Sequence, residues 1–281
     1  MSMNNYCLIT GASEGLGKAL AIECASRKMN LILVALPEPH LYNFAEWIKE
    51  NYSIEVVAIG KDLSREENCM LLFDEVCRMN LNVNMLINNV GIGSTHLFAE
   101  GSIDFYQRQL NLNIMTVTVL TRLFLGMLKK NNPSYILNVG SLCSFFFLAR
   151  KQVYGATKSF VYFFSKSLKR ELYQDNVHVS VLCPGAMNTN PIVTAVIKSS
   201  SPLVRAAVVC PEEVARVAIK GLLKKKEVII PGNLNKIFLF MNTVVPSSLK
   251  KMITNRHMKS LNSAGRESST VVTIPVSFSR S

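Results

Sequence analysis

Tyr154 and Lys158 stand four residues apart in Tyr154-Gly155-Ala156-Thr157-Lys158, a stretch that reads as helix. Four residues is about one helical turn, so both side chains leave the same face. An ammonium beside a phenol favours the phenolate and lowers the phenol's pKa. A tyrosine tuned in this way can exchange a proton with a substrate oxygen near neutral pH. Ser141 comes thirteen residues earlier, at the end of a predicted strand, where its hydroxyl could hold the same oxygen. Asn113, within Asn111-Leu112-Asn113 of a long predicted helix, could hold a water that resupplies the proton. Taken singly, each has a plainer explanation: a surface pair, a cap after a strand, a local hydrogen bond.

A second chemistry is written near the N-terminus. Tyr6-Cys7-Leu8-Ile9 is a short apolar run that passes through Thr10-Gly11-Ala12-Ser13-Glu14-Gly15-Leu16-Gly17 into Lys18-Ala19-Leu20-Ala21-Ile22-Glu23, which reads as helix. Strand, glycine turn and helix in that order suit a phosphate-cradling loop. Gly11 would make the tight turn, Gly15 would let the backbone approach a pyrophosphate, and Gly17 would let the helix pack on the strand. The helix N-terminus offers free N–H groups and the positive end of its dipole.

Six apolar runs alternate with helical patterns from Tyr6 to Leu182, and Val228-Ile229-Ile230 adds a short last strand. Leu31-Ile32-Leu33-Val34-Ala35 is apolar throughout, as a strand buried on both faces must be. The alternation predicts an α/β fold, a doubly wound parallel sheet of about seven strands with ligands at the strands' C-terminal ends. The chemical motifs fall at those ends: Gly11 to Gly17 after the first strand, Asp62 after the third, Asn89 after the fourth, Ser141 after the fifth, Pro184-Gly185 after the sixth. One domain is expected over residues 1–233, with residues about 188–210 as a flap over the site. Residues 234–259 form an apolar segment containing Ile237-Phe238-Leu239-Phe240-Met241 and trailed by Lys250, Lys251, Arg256 and Lys259. Residues 260–281 read as a loose Ser/Thr-rich tail.

Composition narrows the partners. The 281 residues carry 49% hydrophobic side chains and a net charge of +12. Mean hydropathy is +0.22, apolar for a soluble protein. No basic run with interleaved aromatics appears, so nucleic acid is not an expected partner. The seven cysteines are scattered without C-x-x-C spacing and read as reduced thiols in a cytoplasmic protein. The four histidines lie far apart, and no metal is expected. The 234–259 segment is interrupted by Asn242, Pro246 and Ser247 and is too short to span a bilayer. It suits either peripheral membrane contact or a cover for the substrate pocket or a subunit interface.

Together these pieces resemble the short-chain dehydrogenase/reductase family: Thr10 to Gly17, Asn88-Asn89-Val90-Gly91, Asn113, Ser141, Tyr154 with Lys158, and Pro184-Gly185-Ala186-Met187-Asn188-Thr189. The resemblance spans about residues 5–232. It implies a Rossmann-type domain, a nicotinamide cofactor, and hydride transfer at a carbonyl or alcohol carbon. It assigns Tyr154 as proton donor in reduction, Lys158 to the nicotinamide ribose and the tyrosine pKa, Ser141 to the substrate, and Asn113 to a relay water. It implies cofactor contacts from Gly11, Ser13, Glu14, Gly15, Leu16, Gly17, Asn89, Asp62 and Leu63 at the adenine, and Met187 and Thr189 at the carboxamide. Glu14 stands where many NADP-dependent members carry arginine. Leu36 stands where NAD-dependent members carry aspartate. The missing acid favours NADP(H) over NAD(H), and Glu14 pulls the other way. Leu142 to Leu148, with Phe145, Phe146 and Phe147, suggests an apolar carbonyl or alcohol substrate, lipid-like or steroid-like. A homo-oligomer, dimer or tetramer, is expected. The rival reading is a cofactor-binding sensor or scaffold without turnover.

Overall fold

In the computed structural model of the chain, residues 5–187 and 205–244 are described. The described residues up to Phe240 form one compact unit.

Seven strands make one parallel sheet in the order β3-β2-β1-β4-β5-β6-β7. The strands are β1 Asn5–Thr10, β2 Asn30–Ala35, β3 Val56–Gly60, β4 Asn82–Asn88, β5 Ser134–Val139, β6 Val177–Leu182 and β7 Val228–Ile229. The helices are α1 Gly15–Ser26, α2 Pro39–Tyr52, α3 Glu66–Arg78, α4 Ile103–Leu110, α5 Thr116–Lys130, α6 Gln152–Glu171, α7 Pro211–Leu223 and α8 Asn233–Val244. Pro39 and Pro211 begin their helices, where a missing N–H costs nothing.

The expected doubly wound architecture is present. The central strands are buried on both faces: Leu31, Ile32, Leu33 and Val34 are inaccessible to solvent. α1, α2 and α7 cover one face, with Leu20, Leu41, Ile48 and Ile219 in its core. α3, α5 and α6 cover the other, where Leu72, Leu120, Phe124 and Leu168 are buried. Strand order reverses between β1, which pairs with β2 on one side, and β4 on the other. Chain leaving β1 and β4 must part there, and a crevice opens at their C-terminal ends.

Two elements differ from the sequence expectation. The single helix expected from about Asp104 to Lys130 is two α-helices joined by a π-helical turn, Asn111–Met115, in which Thr116 N–H reaches back to Asn111. This helical run, Ile103–Lys130, is long and apolar enough to cross a membrane by length and composition. Its Leu112, Val117, Leu120, Phe124 and Leu128 are instead buried against the sheet. The helix expected to reach Asp175 ends at Glu171. A 3-10 turn over Tyr173–Asp175 follows, closed by Asn176 in the left-handed region at φ 55°. Of the expected flap, residues 188–204 lie outside the described residues, as do residues 245–281 of the C-terminal extension.

Candidate active site

The crevice between β1 and β4 is a cleft of about 450 Å³. At one end it is lined by Ser13, Glu14, Leu36, His40, Lys61 and Asp62, and at the other by Gly91, Val139, Tyr154, Lys158, Pro184 and Met187.

The first end is built from the turn after β1. Gly11 has φ +62°, a conformation L side chains rarely adopt. A Cβ on Gly17 would lie 1.8 Å from the carbonyl oxygen of Gly11, so α1 can start this close only with glycine there. The turn is clamped from β4. Asn89 Nδ2 donates to the carbonyls of Thr10 at 2.9 Å and Gly11 at 3.1 Å. The Thr10 hydroxyl accepts the N–H groups of Asn89 and Val90, both at 3.0 Å. Asn89 therefore shapes the cradle while its residue lines the cleft. The result is bare backbone at a helix N-terminus, the arrangement that fits a pyrophosphate. Asp62 accepts the Ser64 N–H and faces Arg108 at 3.8 Å. Leu63 is buried and its carbonyl accepts from Thr116 Oγ1 at 2.6 Å.

The second end is built from side chains. Gly140 N–H donates to Leu182 O at 2.8 Å, and Leu142 N–H to Pro184 O at 2.9 Å. These bonds extend the β5–β6 pairing past the strands and fix Ser141 between them. Ser141 Oγ accepts the Cys143 N–H at 3.1 Å and faces the Tyr154 phenol. α6 is stapled to the same loop: Ser144 Oγ donates to the Lys158 carbonyl at 2.8 Å and Ser159 Oγ to the Ser144 carbonyl at 3.0 Å. Beneath lies a buried polar chain. Asn88 Nδ2 donates to Asn138 Oδ1 at 2.8 Å and Thr121 Oγ1 at 3.1 Å, and Asn138 Nδ2 donates to Ser165 Oγ at 2.9 Å.

Tyr154 and Lys158 share one face of α6, as their spacing requires. Lys158 is 5% exposed. Its Nζ donates to the Val139 carbonyl at 2.8 Å and lies 5.8 Å from the centre of the Tyr154 ring. The expectation that the ammonium lowers the phenol's pKa is not met here. Burial pushes Tyr154 up to about 12, and the Cys143 sulfur adds to it. The Ser141 hydroxyl pulls back, and Cys183 contributes a smaller push upward. Burial also brings Lys158 down to about 8, opposed by Cys183 and Cys143. In both groups desolvation disfavours the charged form and is the largest cause of the shift.

Asn113 is fully buried in the π turn. Its Oδ1 accepts the Ile92 N–H at 2.9 Å, and its Nδ2 donates to Ile92 O and Thr157 Oγ1, both at 3.0 Å. The side chain therefore ties the loop after β4 to α6. A Cβ on Gly91 would lie 2.7 Å from Asn113 Oδ1 and 3.3 Å from Lys158 Nζ, so the chain passes this corner as bare backbone. Thr189 lies outside the described residues; Met187 lines the cleft. Thr157, Asn138, Arg108, Lys61 and Lys151 complete the surroundings and were not singled out by sequence. Thr157 and Asn138 have no local signal, because their partners lie 44 and 50 residues away at Asn113 and Asn88.

A parallel sheet with a backbone anion cradle at its switch point, and a tyrosine–lysine pair at the other end of the same cleft, defines a dinucleotide-dependent oxidoreductase. The comparisons agree. The family described as short chain dehydrogenase matches residues 5–197, and the chain belongs to that family. It is 28% identical over 251 residues to the ketoacyl reductase HetN of Nostoc sp., covering 87% of this chain and 86% of that protein. It is 27% identical over 190 residues to the very-long-chain 3-oxoacyl-CoA reductase of Mus musculus, covering 65% of this chain and 59% of that protein. A short-chain dehydrogenase from Sphingobium yanoikuyae, solved in complex with NADPH, shares the fold. Its TM-score is 0.74 at 23% identity, over 99% of each chain.

Proposed function

We propose that this chain reduces the carbonyl of an apolar substrate with NADP(H), Tyr154 giving the proton. The observation that carries this is the convergence of Ser141, Tyr154 and Lys158 at the far end of a cleft whose near end is an anion cradle. The nicotinamide supplies the hydride when bound. The substrate oxygen then gains negative charge, and the groups facing it decide the outcome. A phenol with its pKa near 12 holds its proton at neutral pH, the form a donor needs. An alkoxide is a far stronger base than a phenolate, so transfer from Tyr154 runs downhill. Ser141 orients the oxygen. Lys158, anchored on Val139, holds positive charge beside the phenolate that remains.

Leu36, 41% exposed at the end of β2, gives no carboxylate to reject a 2′-phosphate, and Lys61 and His40 line the same end, the latter 3.2 Å from Glu38. This supports NADP(H) against the counterweight of Glu14. Phe145 and Phe146 are half-buried, and Phe147 is exposed, in the loop after Ser141. That apolar loop supports a lipid-like substrate, as do the acyl substrates in the names of the two relatives. Exposed Ile103, Leu110, Phe160 and Phe163 on α4 and α6 support a homo-oligomer. Exposed Ile237 and Phe240 on α8 support peripheral membrane contact, which co-sedimentation with anionic liposomes tests; a protein left in the supernatant at low salt rules it out.

The test of the main reading is a spectrophotometric screen of medium-chain and cyclic ketones, and the matching alcohols, with NADPH and NADH. Oxidation of NADPH that depends on the ketone is expected. A protein that binds the nucleotide and turns over none of them belongs to the rival class, a nucleotide-binding sensor or scaffold.

A further inference from the structure

We propose that the carbonyl substrate carries a carboxylate and that Lys151 binds that group. This rests on the reading of Tyr154 as the group that meets the substrate oxygen. Lys151 places a second ammonium on the catalytic tyrosine: its Nζ lies 5.4 Å from the centre of the Tyr154 ring, against 5.8 Å for Lys158. The two cations are otherwise unlike. Lys158 is buried and lines the cofactor cleft, whereas Lys151 is partly exposed and does not line it. Lys151 thus approaches the Tyr154 ring without belonging to the lining of the cofactor cleft.

Lys151 is held there by neutral oxygens alone. Its Nζ donates to the Ser94 carbonyl at 3.2 Å and to Thr95 Oγ1 at 3.1 Å. An ammonium has three donors, so one remains. Among the described residues, no carboxylate lies within 4.0 Å of Lys151 or Arg150, although seven other ion pairs form. Arg150 sits at φ +64°, a left-handed conformation that costs a non-glycine residue about 1 kcal/mol or more. Its carbonyl accepts the His96 N–H at 3.2 Å, which joins the loop after β4 to the start of α6 and sets Lys151 beside Ser94. Phe147 and Leu148, exposed just before the two cations, supply apolar surface next to positive charge. An apolar oxo-carboxylate matches both. Its carboxylate would complete the donors of Lys151 while its carbonyl, a few bonds away, meets Tyr154 and Ser141.

The probes are benzoylpropionate and its methyl ester, two ketones that differ in the charge and in one methyl group. Calorimetry on the NADPH-loaded protein reads binding, and NADPH oxidation reads turnover, at low and high salt. The native protein should bind the carboxylate at least ~10-fold more tightly than the ester, the scale of one charge-assisted hydrogen bond. High salt should erase that margin. Lys151→Gln should remove the preference with ester binding unchanged, and Lys151→Arg should restore most of it. Equal affinity for acid and ester in the native protein overturns the proposal. So does a Lys151→Gln variant that weakens both probes alike, which would mark Lys151 as acting through Tyr154 or the fold. The binding arm stands without turnover: carboxylate preference with no NADPH oxidation would sink the catalytic reading and leave the anion site in place.

Discussion

At the end of the cleft proposed for the nucleotide, the groups that would meet a ligand are backbone, presented by Gly11 to Gly17 and clamped by Asn89. At the end proposed for catalysis they would be side chains, Ser141, Tyr154 and Lys158. The first end would attract an anion through the backbone dipoles of a helix N-terminus, which cannot titrate. The second gains its chemistry from groups whose titration burial has displaced in opposite senses, Tyr154 upward and Lys158 downward. A backbone site is vulnerable to added volume and indifferent to pH. A side-chain site tolerates a lost atom structurally and loses its chemistry at once.

The largest effect that would break this contrast is expected from one methyl group. Gly17→Ala puts a Cβ 1.8 Å from Gly11 O and 2.6 Å from Asn89 Nδ2, and the backbone must shift. Nucleotide binding should vanish in titration calorimetry, with a stability loss of about 1–3 kcal/mol from overpacking. Unchanged NADPH affinity would mean that the cradle is not where the phosphates lie. Tyr154→Phe should do the reverse: nucleotide affinity and melting temperature stay, and turnover falls at least ~100-fold, the scale of lost general acid catalysis. Near-normal turnover in that variant would remove Tyr154 from the proton-donor role.

The displaced titrations sharpen the comparison in a smaller, pH-dependent way. Lys158 has a folded pKa of about 8, below its ordinary 10.5, so in the cofactor-free protein the unfolded chain binds more protons between those values. Stability from this group therefore rises as pH goes from about 8 to 10.5. Tyr154 runs the other way, and its contribution falls as pH climbs from 10 to about 12. Urea unfolding at pH 8 and pH 10 should show the native protein gaining on Lys158→Met over that interval. Parallel curves would place the Lys158 titration at its ordinary value. The smallest expected change is Leu36→Asp. A carboxylate at the end of β2 should move preference towards NADH by about tenfold, roughly 1.4 kcal/mol. If the unaltered protein already binds NADH tenfold more tightly than NADPH, the NADP(H) reading fails.

The strand ends, the glycine turn and the Tyr154–Lys158 pair were legible because each is a local signal. A period of two or of 3.6 can be read from neighbours, and four residues on a helix share a face in any context. The packing of Asn113 was not. Its side chain bonds Ile92 and Thr157, contacts 21 and 44 residues away. The π turn that aims it leaves no composition signal in Asn111-Leu112-Asn113-Ile114-Met115. Lys151 shows the same limit. Three residues before Tyr154 it reads as one more surface lysine, until Ser94 and Thr95, brought in from the loop after β4, hold it against the ring.

The amino-acid sequence by itself determined the α/β alternation, the order of the elements and the family, because these follow from periodicity and from short spacings along the chain. Tertiary structure alone decided the electrostatics of the site. Spacing puts an ammonium near a phenol and predicts a lowered pKa, but the sign of the shift depends on how much water the surrounding chain removes. Here the strands and loops around Tyr154 and Lys158 remove enough that desolvation is the largest influence on both, and each group is driven towards its neutral form.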